Sequence, residues 1–129
     1  MENQINELLG VTLVKIEGCE VGKDEIIFHA DDGRSWRMFH LQGCCESVQI
    51  EDVAGDIADL IGSPITMAEE VVSADKNPEG VNIPEYQDSF TWTFYKLATV
   101  KGYVTIRWYG ESNGYYSEEV DFESIETKG

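Results

Sequence analysis

The C-terminal third of the chain carries the pattern that most restricts its fold. Residues 90–100 form a run rich in threonine and aromatic residues, and a similar run follows Lys101-Gly102. Such residues favour strands, and two intervening residues are enough for a tight hairpin turn. The pattern therefore predicts a long antiparallel hairpin. Its predicted register pairs Leu97 with Ile106, Thr99 with Val104 and Tyr95 with Trp108.

A second hairpin is predicted to follow, through a three-residue loop at Ser112-Asn113-Gly114. A two-residue Asn-Gly turn is the alternative, but it would turn Asp121 towards the core, where an unpaired carboxylate costs several kcal/mol. The preferred register pairs Ile106 with Val120, Arg107 with Glu119 and Glu111 with Tyr115.

The remaining sequence predicts further strands and two short helices. Alternating or apolar runs predict strands over 12–17, 25–30, 35–41, 47–51 and 65–72, with Asp31-Asp32-Gly33 closing a hairpin. Helical spacing appears at Ile5, Leu8 and Leu9 after Asn3, and at Val53, Ile57, Leu60 and Ile61 before Gly62. The segment 73–89 reads as a long loop, of the length that is usually functional or mobile.

We therefore expect an α+β fold in a single domain spanning residues 1–129. Mostly antiparallel strands would curl around one core, with one or two short helices packed against them. Hydrophobic residues make up 42% of the chain, enough to fill a core without disulfides or metal. No apolar run approaches the length needed to span a bilayer, and the N-terminus lacks the features of a signal peptide.

The charge balance excludes some partners and favours others. The net charge is −16, and residues 46–88 hold eleven carboxylates against Lys76 alone. Direct nucleic-acid binding is disfavoured, because a basic surface is what neutralises phosphates. A basic protein surface is the expected partner, with simple solubility as the alternative. The candidate partner-binding residues are Glu51, Asp52, Asp56, Asp59, Glu69 and Glu70.

In the predicted second helix, Asp52, Asp56 and Asp59 would share one polar side. Carboxylate oxygens are ligands for Mg²⁺ or Ca²⁺, but these three would span two helical turns, too far apart to reach one ion. A solvated helix face is therefore the preferred interpretation of this trio.

His40, Cys44, Cys45 and Glu46 form a second candidate site. Thiolate, imidazole and carboxylate are zinc ligands, although adjacent cysteines without a second pair do not match a closed zinc site. Small buried cysteines are the alternative, and a cysteine nucleophile is disfavoured by the acidic surroundings. No cofactor is therefore expected, with zinc as the alternative. The odd cysteine count fits a reducing compartment.

Aromatic residues in the predicted hairpin suggest two further alternatives. Phe94, Tyr103 and Tyr109 would share the face of Arg107, with Trp92 nearby. Such a set can stack against a planar ligand, or it can be a second core face covered by the N-terminal half of the chain. The core interpretation is preferred, since a long hairpin must be buried somewhere.

The chain also resembles an uncharacterised family associated with bacteriophages and prophage-bearing bacteria. The resemblance rests on residues 13–19, CCESV at 44–48, IEDV at 50–53, Gly55-Asp56, 88–102 and 104–118, and covers roughly residues 8 to 123. It carries no assigned activity. It implies a small accessory protein of a phage-like genome, located in the bacterial cytoplasm.

The leading functional hypothesis is a non-enzymatic accessory protein that binds a host or phage macromolecule, as a nucleic-acid mimic or inhibitor. The alternative is a metal- or small-ligand-binding domain centred on His40, Cys44, Cys45 and Glu46. A hydrolase that uses the same residues is the third hypothesis. No catalytic residue is assigned.

Overall fold

The computed structural model describes residues 5–41, 46–74, 89–112 and 118–125, and it contains two four-stranded sheets. The first sheet has the order β1 (Leu13–Glu17), β2 (Glu25–Ala30), β3 (Ser35–Phe39) and β8 (Asp121–Ile125). The second has the order β4 (Ser47–Ala54), β7 (Gly102–Ser112), β6 (Ser89–Thr99) and β5 (Met67–Ala74). All neighbouring strands are antiparallel, as the sequence predicts.

One hydrophobic core lies between the inward faces of the two sheets. Alternate residues of each strand point inward, as the pleat of a strand requires. Phe28 and Phe122 contribute from the first sheet, with ring centroids 6.3 Å apart. The indole N–H of Trp108 in the second sheet donates to the sulfur of Met38 in the first, over 3.3 Å. This contact connects the two layers at the centre of the molecule.

The expected α+β class and the expected curling of the sheet are wrong. The described residues contain no α-helix, only two 3-10 helices, η1 (Ile5–Leu8) and η2 (Ile57–Leu60), and the two sheets are not curled. Val53 belongs to β4, where it pairs with Ile106. The helix-like spacing from Val53 to Ile57 therefore connects a strand residue with a residue of η2, and the two do not belong to one helix. Asn3, the predicted cap of the first helix, lies outside the described residues.

The predicted β6–β7 hairpin exists, but its register is shifted by two residues. Leu97 pairs with Val104 and Thr99 with Gly102, so the turn is Val100-Lys101. A shift of two keeps every side chain on its predicted face. Gly102 instead lies against the Asp59 side chain, which would have to shift to make room for a Cβ at this position.

The predicted β7–β8 hairpin is wrong. Both edges of β7 are occupied, by β4 and β6, and Arg107 lies opposite Asp52 and Phe94 instead of Glu119. Strand β8 joins the other sheet beside β3, where Phe122 pairs with Met38 and is buried. The predicted loop residues Asn113 and Gly114, and the predicted partner Tyr115, lie outside the described residues.

The other predicted strands are found, with bounds shifted by no more than three residues at either end. The predicted Asp31-Asp32-Gly33 loop closes the β2–β3 hairpin, and Gly33 has φ of +91° there. Most of the predicted 73–89 loop, residues 75–88, lies outside the described part of the chain. None of the helices described is long and apolar enough to cross a membrane.

Candidate binding site

A groove of about 720 Å³ runs along strand β5. It is bounded by β5, by η1 and by the segment that leads into β8. Its apolar lining includes Ile5, Ala68, Val71, Val72, Val120 and Phe122. Its acidic lining consists of Glu69, Glu70, Glu119 and Asp121. We call this region the acidic groove.

Strand β5 is an edge strand and supplies five consecutive residues, 68–72, to the groove. Its side chains alternate between the two faces of the sheet. Ala68 pairs with Leu97 and is buried, whereas Glu69 pairs with Lys96 on the opposite face. Glu70 follows on the core side, where it pairs with Tyr95. The sequence placed both glutamates on a strand, and the structure adds the cavity beside them.

Tyr95 shows the electrostatic character of this region. Its ring is fully buried, and its hydroxyl donates to the carbonyl oxygen of Val120 over 3.4 Å. Burial raises the pKa of the Tyr95 phenol far above its usual value, and the Glu70 carboxylate beside it raises it further. The negative charges of Asp121 and Glu119 act in the same direction. Three carboxylates that line the groove thus place negative potential at the buried Tyr95 hydroxyl.

Two of the other predicted partner-binding residues lie on the far edge of the same sheet. Glu51 and Asp52 belong to β4, where the pairing with β7 contains an irregularity between Ile50 and Asp52. The Arg107 guanidinium donates to Glu51 and lies 3.9 Å from an Asp52 oxygen. Two strands separate β4 from β5, a distance of roughly 14 Å between the edges. These carboxylates are therefore separate from the acidic groove.

The last two predicted residues, Asp56 and Asp59, have structural contacts around η2. Asp56 caps this helix by accepting the Ala58 N–H over 2.9 Å. The Asp59 carbonyl accepts the hydroxyl of Thr99, and its side chain lies against Gly102. The structure therefore does not place Asp52, Asp56 and Asp59 on one helical face.

Two of the four side chains of the second candidate site are adjacent. His40 and Glu46 are both buried, with 5% and 3% of their side chains exposed. His40 Nδ1 lies 2.7 Å from the carbonyl oxygen of Glu119 and must donate, since a carbonyl only accepts. Its Nε2 lies 3.2 Å from Glu46 Oε1. Cys44 and Cys45 lie outside the described residues, and no three potential metal ligands converge within the described ranges.

The aromatic residues near Arg107 form a cluster on the outer face of the second sheet, away from the central core. Trp92 is 2% exposed, and its ring lies 4.5 Å from that of Tyr109. The Arg107 guanidinium lies 5.4 Å from the Trp92 ring, in cation–π geometry. Tyr103 is half exposed and Phe94 partly buried, so the predicted aromatic face is only partly covered.

Sequence reasoning missed Glu118 and the segment that follows it. Glu118 is buried and accepts hydrogen bonds from Thr91 Oγ1 over 2.9 Å and Ser112 Oγ over 2.5 Å. The predicted β7–β8 hairpin hid this role, because it placed residues 118–122 beside β7 instead of across the acidic groove. The alternating pattern of Val120 and Phe122 was present, but it does not say which sheet a strand joins.

Together, the fold and the groove define a small two-sheet antiparallel β domain with an acidic groove along one edge strand. The chain belongs to the family described as a domain of unknown function, DUF7448, which it matches over residues 6–122. No curated protein and no solved structure matches it.

Proposed function

We propose that this chain is a non-enzymatic binding domain that holds a basic segment of another macromolecule in the acidic groove. The observation that carries the proposal is the combination of four carboxylates and an apolar lining in one groove of about 720 Å³. Apolar grooves with a few convergent polar groups are the usual form of binding sites.

The groove and the whole molecule would act at different stages of binding. The net charge of −16 attracts basic partners over long distances and speeds their approach. At the groove, apolar contact with residues such as Val72 would slow dissociation, while Glu69 and Glu70 select for lysine or arginine. Charge alone would give fast but short-lived binding.

Two more specific forms of this proposal come from the sequence. A nucleic-acid mimic would need carboxylates on both sheet edges to meet one partner, since Glu51 and Asp52 lie far from Glu69 and Glu70. The resemblance to phage-associated proteins adds a setting, in which the partner is a host or phage component in the bacterial cytoplasm. Both forms share the requirement for a basic partner.

The test uses basic peptides, with charge-reversed variants of the protein. The probe is a fluorescent peptide of alternating lysine and valine, titrated at low and moderate salt. Glu69→Lys/Glu70→Lys should weaken binding at least tenfold. Glu20→Lys/Asp31→Lys makes the same change in net charge away from the groove and should weaken binding less than threefold. Equal losses from the two double variants would show that only net charge matters, and the proposal would be abandoned.

A second candidate function, zinc binding, has one observation in its favour. Metal-ligating histidines usually donate their other ring N–H to a carbonyl or carboxylate, and His40 Nδ1 does so to Glu119. Nε2 is then directed to Glu46, next to Cys45 in sequence. One equivalent of zinc that survives dialysis, and is lost in both His40→Ala and Glu46→Gln, would support this function. Metal content below a tenth of an equivalent would refute it.

A further inference from the structure

We infer that the segment held in the acidic groove is an extended strand, which pairs with the outer edge of β5 and carries basic residues at alternate positions. This inference rests on the proposed function and names the conformation and chemistry of the partner. Strand addition of this kind gives affinity through main-chain hydrogen bonds and specificity through alternate side chains.

Among the four edge strands that the described residues form, β5 is the one suited to accept another strand. Its pairing with β6 runs through eight consecutive residues without a bulge, and no described strand lies beyond it. By contrast, β1 and β4 both contain irregularities in their pairing. Strand β8 is short, at five residues. Bulges and short length are ways in which proteins block edge pairing, and β5 has neither; η1 packs against part of this strand.

The opposite edge of the same sheet, at β4, differs further from β5. Ile50 exchanges backbone hydrogen bonds with the β1–β2 loop, through the N–H of Gly22 and the carbonyl of Lys23, each over 2.8 Å. That loop therefore occupies part of the β4 edge. Along 67–72, backbone hydrogen bonds like those of Ile50 do not occur between β5 and the described loops.

The chain immediately before β5 already accepts a strand-like partner. Ile65 accepts the Gly10 N–H over 2.8 Å, and its own N–H donates to the Val11 carbonyl over 2.9 Å. Leu9 and Ile65 form a parallel bridge at this point. Towards the N-terminus the pairing segment then turns into η1. Residues 9–11 therefore already pair with the chain just before β5, and an added strand would continue this pairing along β5 itself.

The charges of β5 determine which strand can be added. Glu70 points to the core side of an edge strand, a placement that blocks pairing with apolar or acidic strands, a second copy of β5 included. A lysine or arginine opposite Glu70 turns this repulsion into attraction. Val71 is 43% exposed on the other face of β5 and would receive the apolar residues that alternate with the basic ones. The expected partner therefore mixes basic and apolar residues.

The experiment compares two peptides that differ only in backbone donors. The probe is a seven-residue peptide of alternating lysine and valine, and its control carries an N-methyl group at every peptide bond, so that neither of its edges can donate. Methylation removes the N–H groups needed for pairing but keeps the charge. We expect the unmodified peptide to bind at least tenfold more tightly, and to slow amide hydrogen exchange at alternate residues of 67–74.

Variants separate this inference from the proposed function. Glu70→Gln should weaken the unmodified peptide at least fivefold, whereas Glu20→Gln should have less than a twofold effect. Equal binding of the methylated and unmodified peptides, with the Glu70→Gln loss retained, would overturn the strand inference and leave the proposed function standing. Unchanged binding of the unmodified peptide to the Glu70→Gln variant would overturn both. A concentration-dependent dimer that protects 67–74 without peptide would also overturn the inference, because the occupant would then be a second copy.

Discussion

At the scale of single residues, Gly55 shows how one position limits the chain. It follows β4 with φ of +105°, and a Cβ there would lie 2.5 Å from the Tyr103 carbonyl oxygen. Gly33 has a similar φ of +91°, but a Cβ at Gly33 would meet nothing within 4 Å. A comparison of substitutions at these two glycines therefore separates the effect of backbone strain from the effect of steric overlap.

Gly33→Ala should cost about 1 kcal/mol, since only the positive φ opposes the new side chain. Gly55→Ala should cost more than about 2 kcal/mol, because strain and overlap add. The free energy of unfolding in urea measures both. Equal losses in the two variants would contradict the close approach of Gly55 to β7.

Cys19 is buried, and this burial raises the pKa of its thiol to about 11, with a smaller contribution from Glu20. At pH 8 its thiolate fraction is on the order of 0.1%, roughly 200-fold below that of a free thiol. A Cys44→Ser/Cys45→Ser variant, in which Cys19 is the single thiol, should therefore react slowly with a disulfide reagent. The urea-unfolded variant is the control and should react within seconds. Equal rates in both states would contradict the burial of Cys19.

Glu17 on β1 gives a prediction about pH. His29 Nε2 lies 2.6 Å from its carboxylate, and this hydrogen bond, followed by the contact with Lys15, lowers the Glu17 pKa. Because the folded pKa is the lower one, the stabilisation is complete above the unfolded value near 4.5 and is lost as pH falls through the folded value. His29→Ala should therefore raise the Glu17 pKa, as read from carboxyl chemical shifts.

Asp32 is the internal control for that titration. Its pKa is lowered chiefly by the backbone N–H of Arg34, 3.0 Å away, and then by the Arg34 side chain. His29→Ala should leave it unchanged. If the pKa values of both carboxylates changed together, the cause would be a general change in electrostatic potential or structure, and the loss of one hydrogen bond would not explain it.

At the scale of elements, the contact between β3 and β7 tests how the two sheets are joined. Met38 and Trp108 are both fully buried. Met38→Ala should cost about 2–5 kcal/mol, because it leaves a cavity and removes the acceptor of the indole N–H. Met38→Leu keeps the volume and should cost roughly 1–2 kcal/mol. Met67→Ala on β5, at a partly exposed position, is the control and should cost less than about 1 kcal/mol in the same urea titrations.

The faces of the strands could be predicted from sequence, but their neighbours could not. Alternation places Tyr95, Leu97 and Val104 inward whether the hairpin register is shifted by two or not. No local pattern shows that Phe122 packs against Phe28, because that choice depends on contacts between residues distant in sequence. The helical spacing from Val53 to Ile61 failed for a related reason, since β7 recruits Val53 into a sheet.

For the candidate site, too, the sequence predicts which residues lie on a strand but not which segments lie beside them. Composition identified Glu69 and Glu70 as candidates, and the strand pattern placed them on β5. The groove itself depends on residues 119–122 approaching from the other sheet, whereas the predicted hairpin paired these residues with β7. The contact of Asp59 with Gly102 joins η2 to the β6–β7 hairpin, and helical spacing within one segment cannot reveal such a contact.

At the scale of the whole molecule, 25 acidic side chains against 9 basic ones produce net repulsion in the folded state. Added salt screens this repulsion, so the midpoint of thermal unfolding should rise between about 10 and 200 mM sodium chloride. For a chain of this size, a gain of about 1 kcal/mol in the free energy of unfolding corresponds to a rise of roughly 3–5 °C. Differential scanning calorimetry measures it. A fall in the midpoint would show that local ion pairs, such as Arg37 with Glu123, outweigh the repulsion.

The position of β8 has a consequence for how the chain is synthesised. Ribosomes release a protein from its N-terminus, so β1, β2 and β3 emerge early, while their fourth neighbour, residues 121–125, emerges last. Until then β3 has an open edge, and Phe28 and Met38 lack the side chain of Phe122 beside them. The nascent first sheet therefore stays incomplete and exposed to chaperones and proteases until residues 121–125 have emerged, whereas all strands of the second sheet are available once residue 112 has emerged.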